Sequence, residues 1–158
     1  MNEKKGTISI HAQNIMPIIK KWLYSDKDIF VRELVSNGCD AIAKFKLLVS
    51  RGEATAAPDE NYAVYIEVDK ENKTLRFIDN GVGMTADEVE KYITQVAFSG
   101  ATEFIEKYQN DKEGGNGIIG HFGLGFYSAF MAAEKVQFDT LSWQEGATPV
   151  RWVSSDGM

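Results

Sequence analysis

Glu33, Asn37 and Asp40 recur at i, i+4 and i+7 within Ile29-Phe-Val-Arg-Glu-Leu-Val-Ser-Asn-Gly-Cys-Asp-Ala-Ile-Ala-Lys-Phe45, a stretch otherwise rich in apolar residues. At about 100° per residue the three share one helical face, within an arc of roughly 60°. Val31, Leu34, Val35, Ala41, Ile42 and Phe45 cluster about 130° away, so the helix has a packing side and a separate chemical side. A carboxylate such as Glu33 can serve as a general base and an amide such as Asn37 as a neutral oxygen ligand. Asp40 can bind a cation or orient a neighbour. The same trio also describes a solvated surface helix, and other segments must decide between the two.

Asp79-Asn-Gly-Val-Gly83 places a carboxylate at a strand end with glycines two and four residues later. Glycines let a backbone approach a flat ligand closely, and Asp79 can then accept a hydrogen bond from an exocyclic amine such as that of adenine. A tight Asn-Gly turn after a strand explains the same residues. The third segment, Gly120-x-x-Gly-x-Gly125, precedes an apolar helix expected from Phe126. Unpaired N–H groups at a helix start favour a phosphate there. The segment lacks the βαβ frame of a dinucleotide fingerprint and the Gly-Lys-Ser/Thr of a P-loop. Together the three segments supply a metal ligand, an amine acceptor and a phosphate cradle. Mg2+ usually takes one or two protein oxygens beside phosphate and water, so a single Asn37 amide can serve as a protein ligand, and Glu33, one turn away, can polarise an attacking water.

The elements that must position these residues follow from the patterning. Gly6 to His11 alternates as a short strand, and Asn14 to Tyr24 is an amphipathic helix with Pro17 in its first turn. Ser25-Asp-Lys-Asp28 resembles a capping box for the helix carrying Glu33. Arg51 to Asn61 is a loop; Tyr62 to Asp69 and Thr74 to Asp79 form a hairpin in which Val64, Ile66 and Val68 share one face. Thr85-Ala-Asp-Glu88 is a second capping box, and a short helix is expected over Glu103 to Tyr108. Asp111 to Gly117 is a charged, glycine-rich segment suited to a mobile surface loop. Phe126 to Glu134 is expected as a buried helix, followed by strands near Val136 to Ser142 and Val150 to Ser154. Helices and antiparallel strands in separate blocks predict a two-layer α+β domain. The chain ends just after a strand with nothing to cover that edge, so a domain truncated before its last strands is expected.

At 158 residues one domain is the prior. Composition is globular, with 44% hydrophobic and 25% charged residues, and no apolar run approaches the roughly 20 residues of a membrane span. Met1 to Gly6 leads into no signal-peptide h-region, and a single cysteine, Cys39, forms no internal disulfide; both favour the cytoplasm. The net charge of -6 argues against generic binding to nucleic acid.

Phe30-Val-Arg-Glu-Leu-Val-Ser-Asn-Gly-Cys-Asp-Ala41, Asp79-Asn-Gly-Val-Gly-Met84, Phe98-Ser-Gly100 and Gly120-His-Phe-Gly-Leu-Gly-Phe-Tyr-Ser-Ala129 resemble, in order and spacing, the amino-terminal ATP-binding domain of the 90-kDa heat-shock chaperones in its bacterial form. The resemblance covers nearly the whole chain. It implies a Bergerat-type α/β sandwich, a mostly antiparallel sheet covered by helices, shared with DNA gyrase B, MutL and histidine kinases. Carried over by position, Glu33 matches the general base, Asn37 the magnesium ligand and Asp79 the acceptor of the adenine amine. Asp40, Gly83 and Met84 match pocket positions, with Met84 beneath the base. Gly120, Phe122, Gly123, Gly125 and Phe126 match the phosphate-contacting end of a lid spanning about 85–125. The rings of Phe122, Phe126 and Tyr127 have a core reading, which leaves phosphate contact to backbone N–H groups.

What the resemblance implies is a chaperone that binds Mg-ATP, closes its lid, and hydrolyses ATP to ADP and phosphate with help from its own middle domain, acting on client proteins as a cytoplasmic homodimer. The present chain alone is then expected to be monomeric, to hydrolyse ATP weakly or not at all, and to bind neither nucleic acid nor membrane. The chain departs from the family at Phe98, where lysine is frequent, at Ala101, where threonine is frequent, and at His121, where glutamine is common. A cationic phosphate contact is missing from the first of these. Other readings are a mismatch-repair or topoisomerase ATPase of the same fold, or a non-catalytic nucleotide-binding or interaction module in which Glu33 is structural. A histidine kinase lacks support because no phosphoacceptor helix precedes the domain.

Overall fold

The computed structural model describes residues 2–5, 28–91 and 128–155. Helix α1 runs from Ile29 to Ser50, five residues beyond the apolar stretch that announced it. Asp28 stands at its N-cap in a turn conformation without a side-chain cap bond; the expected Ser25–Asp28 box has its capping residue, Ser25, outside the described residues. Its end is closed by a Schellman motif: the Gly52 N–H donates to Val49 O at 3.0 Å and the Glu53 N–H to Leu48 O at 2.9 Å. Gly52 adopts φ +74°, which a glycine accepts without a Cβ penalty.

Strands β2 (Val64–Asp69) and β3 (Thr74–Asp79) form the predicted hairpin, in antiparallel register from Val64↔Asp79 to Asp69↔Thr74. Asp69 holds the turn by accepting from the N–H groups of Glu71 and Asn72, both at 3.0 Å. Those bonds, led by the one from Asn72, keep its carboxyl below the usual range. α1 covers the hairpin only at its Asp79 end, where Phe30 meets Phe77 edge-to-face at 6.5 Å. Toward the turn the shared face opens to solvent, Val68 being 66% exposed.

Helix α2 (Ala86–Lys91) begins with the predicted capping box: the Thr85 N–H donates to Glu88 Oε2 at 2.7 Å and the Glu88 N–H to Thr85 Oγ1 at 3.3 Å. The buried helix expected over Phe126 to Glu134, of which residues 126–127 lie outside the described residues, stops early. Helix α3 (Ala129–Ala132) ends there because Ala133 turns extended and Lys135 enters strand β4 (Lys135–Thr140). Ladder pairing with β5 (Val150–Ser155) here overrides helical propensity.

β5 alternates Val150, Trp152 and Ser154 inward, the period of a half-buried strand. Val150 and Trp152 join Val89 of α2 and Phe130 of α3 in the core, with Met84, Val136 and Phe138 packed around them. Phe130 and Trp152 meet edge-to-face at 6.3 Å. On the outer face Arg151 grips Asp139 with two bonds, of 2.7 and 3.1 Å, across the ladder. Such an exposed pair contributes up to about 1 kcal/mol.

The strand β1 (Asn2–Lys5) pairs in parallel with β5, from Asn2↔Val150 to Lys5↔Val153. Its polar Asn-Glu-Lys-Lys carries no alternation, so the sequence placed the first strand over Gly6 to His11, which lies outside the described residues, as do the helices expected over 14–24 and 103–108. The architecture is α+β with mainly antiparallel pairing, as predicted, but the described strands form two sheets, β1-β5-β4 and β2-β3. The loop after β3 links them by single hydrogen bonds and not by a ladder: Trp143 N–H to Val82 O at 2.9 Å and Met84 N–H to Thr140 Oγ1 at 3.0 Å.

Candidate functional site

Gly38, one residue after Asn37, occupies the middle of the apolar arc of α1 and is buried. A Cβ there would sit 2.9 Å from Val64 Cγ2 and 3.4 Å from Asp79 Cβ. The missing side chain therefore lets the strand end bearing Asp79 press onto the helix beside Asn37. The turn after Asp79 continues along the same helix. A Cβ on Gly81 would lie 2.5 Å from the Ala41 carbonyl carbon, and the Val82 N–H donates to Ala41 O at 3.0 Å. Gly83 then rests on Leu141 and Ser142, just past β4.

Asp79 is exposed, and its Oδ1 accepts the Gly81 N–H at 2.8 Å. This bond fixes the carboxylate and leaves Oδ2 without a protein partner among the described residues, ready to accept from an amine. Met84 is half-buried with its side chain against the core. The fold thus brings Asn37, Asp40, Asp79, Gly83 and Met84 onto one helix and one turn that touch. Gly120, Phe122, Gly123, Gly125 and Phe126, the expected phosphate contacts, lie outside the described residues, as does most of the expected lid. Residues 86–91 of that lid form α2, anchored in the core by Val89.

Sequence reasoning overlooked Gly38 and Thr140. A glycine at the centre of an apolar arc signals close approach, and that signal was present; the Thr140 hydroxyl that holds the Met84 N–H bridges 56 positions and left no local trace. An open depression of about 610 Å3 lies elsewhere, at the turn end of the hairpin, lined by Glu67, Asp69, Lys70 and Arg76 among others. It holds none of the candidate residues, and its walls are solvated charges, Glu67 and Arg76 pairing at 2.9 Å.

Glu33 is half-buried, and burial pushes its carboxyl above the ordinary glutamate value while the Arg32 guanidinium partly opposes the rise. A raised value suits a group that must take a proton near neutrality. It also carries a stability signature. The native state holds its proton more tightly than the unfolded chain, so stability falls as pH rises from the unfolded value through the folded one. Glu33→Gln removes the ion and keeps the shape. It should raise the thermal midpoint at about pH 7, and the gain should shrink toward about pH 4, where the carboxyl is largely protonated in both states. An equal gain at both pH values would show that the buried ion is not its source.

Comparison with known proteins bears on this geometry. The family described as histidine kinase-, DNA gyrase B-, and HSP90-like ATPase matches residues 24–156. The chaperone protein HtpG of Porphyromonas gingivalis is 54% identical over 98% of the chain, which covers 22% of that protein. HtpG of Bacteroides fragilis is 51% identical over 94% of the chain and 21% of its own length. HtpG of Francisella tularensis subsp. novicida is 40% identical over 98% of the chain and 25% of its own length. The chain thus spans about a quarter or less of the curated relatives it matches. A match over residues 24–156 takes in α1, the Asp79 turn and every described strand but β1, and on it the chain belongs to the histidine kinase-, DNA gyrase B- and HSP90-like ATPase family.

Proposed function

We propose that this chain is the nucleotide-binding part of an ATP-dependent molecular chaperone. The observation that carries the reading is Asp79. One of its oxygens is fixed by the Gly81 N–H and the other is open, while its strand end presses on Gly38 next to Asn37. This is a rigid acceptor for an adenine amine beside a helix bearing an amide and a carboxylate. The relatives are named as chaperones, which agrees with it.

In this reading Asp79 accepts the adenine amine, Met84 lies beneath the base, and Asp40 and Gly83 complete the pocket. Gly120, Phe122, Gly123, Gly125 and Phe126 receive the phosphates. Glu33 takes a proton from the water that attacks the terminal phosphate, yielding ADP and phosphate. The donor set fits Mg2+ brought with the nucleotide. Asn37 offers one hard oxygen, and among the described residues no group of three or more His, Cys, Asp or Glu is placed to hold a metal unaided. Bound there, Mg2+ would neutralise phosphate charge.

The two described sheets belong to one layer of a two-layer sandwich: β3 and β4 come close enough for the Arg76 guanidinium to help lower the Asp139 carboxyl. The whole protein acts on client proteins as a homodimer whose middle domain completes the site and whose lid, about 85–125, closes over ATP. An exposed free thiol at Cys39 and a net charge of -6 fit a reducing cytoplasm and a partner other than nucleic acid. Among the described residues no helix is long and apolar enough to cross a membrane.

Mg-ADP should raise the thermal midpoint of the full-length protein, since a ligand at 100 times its Kd stabilises by about 2.7 kcal/mol. Asp79→Asn should abolish that shift. The carboxylate serves two donors, the Gly81 N–H and the amine, whereas an asparagine has one acceptor oxygen and turns an N–H2 toward the other. No shift in the unmutated protein would remove the nucleotide site.

A further inference from the structure

The Asn80 side chain makes hydrogen bonds in both directions. Its Oδ1 accepts the Ala63 N–H at 3.1 Å, while its Nδ2 donates to Asn61 O at 2.8 Å and to Glu60 Oε1 at 2.7 Å. The carboxamide binds the chain on either side of Tyr62 as a peptide unit of a further strand would. It therefore ties residues 60–63 to the end of β3, just past the last ladder pair, Val64↔Asp79. Strand ends fray where the ladder stops, and this is the end that carries Asp79. Asn80 is also the residue spanned by the bond from the Gly81 N–H to Asp79 Oδ1, so fixing its side chain fixes the turn that aims the carboxylate.

We propose that Asn80 is a positioning residue for the nucleotide site, acting through Asp79 to set recognition of the base amine. This rests on the nucleotide reading above. Asp79 itself has one side-chain bond within the protein among the described residues, to the Gly81 N–H, and the helix contact at Gly38 packs its Cβ without orienting its oxygens. The aim of the carboxylate is then set by the backbone of residues 79–81, which Asn80 anchors from outside the pocket.

The test is Asn80→Asp in the full-length protein. Aspartate keeps an acceptor for the Ala63 N–H but loses both donated bonds and faces Glu60 with like charge. The affinity for Mg-ADP should fall about tenfold, the scale of a lost bond to a charged group. Affinity for Mg-IDP, whose base carries an oxo group in place of the amine, should change about threefold or less, so the preference for ADP narrows. In Asn80→Asp with Glu60→Gln, the glutamine amide can donate to the new carboxylate, which restores one of the two lost bonds, and the preference should return in part. A turn that matters only for folding would lower the midpoint without ligand, move both nucleotides alike, and leave their ratio unchanged; that result overturns the inference. So would loss of the ratio without rescue by the double variant. If Asn80→Asp does not fold, Glu60→Ala removes one of the three bonds from outside and should narrow the preference about twofold to threefold; an unchanged ratio again overturns it. Absence of ADP binding by the unmutated protein defeats the nucleotide reading itself, and is thereby distinguished from a normal unmutated protein with an indifferent Asn80.

Discussion

Glu33→Ala in the full-length protein should lower the ATP turnover rate by about 100-fold to 10,000-fold, the range a positioned general base contributes, while ADP affinity stays within about threefold. The split follows from where the residue sits. Glu33 lies off the apolar arc of α1 that packs on the hairpin, so its removal leaves the Gly38 contact and the Asp79 turn intact. Its carboxyl is half-buried and raised, which brings its proton affinity closer to that needed at neutral pH. A group that binds the ground state would weaken ADP and turnover together; one that acts on the attacking water lowers turnover alone. Single-turnover rates with saturating Mg-ATP, beside a calorimetric Kd for ADP, make the distinction. Retained turnover would remove Glu33 from the role of general base and assign it a structural part.

What could be foreseen from the sequence was local. Thr85 and Glu88 are three positions apart, and the reciprocal bonds between them are those the pattern foretold. The hairpin register from Val64↔Asp79 to Asp69↔Thr74 follows from alternation plus a short polar turn. The candidate residues were visible for the same reason: Glu33, Asn37 and Asp40 are spaced for one helix, and Asp79 to Gly83 for one turn. Chain-distant terms were not. The length of α3 is decided at Ala133 by pairing of Lys135 with Ser155, 20 positions away, which no helical pattern encodes. β1 is polar and is recruited by backbone pairing to β5, so hydrophobic periodicity had nothing to detect. Asn80 read as a turn residue, and its bonds to Glu60 and Asn61 emerge only when the hairpin closes.

Gly83→Ala should destabilise the fold by about 3 kcal/mol or more and abolish nucleotide binding. Two effects combine. Gly83 has φ +61°, where an L-residue costs about 1–2 kcal/mol. A Cβ there would also lie 1.8 Å from Leu141 O and 2.5 Å from its carbonyl carbon, which are backbone atoms and not a movable side-chain tip. The turn has no easy retreat, because the residues on either side are tied to the same region by the Trp143 N–H to Val82 O and the Met84 N–H to Thr140 Oγ1 bonds. Relief of the clash breaks those bonds at about 1 kcal/mol each and lifts the turn off the site. Gly52→Ala is the control that isolates the second effect: its φ is +74°, but nothing lies within 4 Å of its would-be Cβ. That variant should lose only about 1–2 kcal/mol and keep full ADP affinity, whereas Gly83→Ala should lower the thermal midpoint on the order of 10 °C with no ADP-induced shift. Equal losses for the two would mean that backbone conformation alone matters at Gly83, and that the turn is not clamped between α1 and the end of β4.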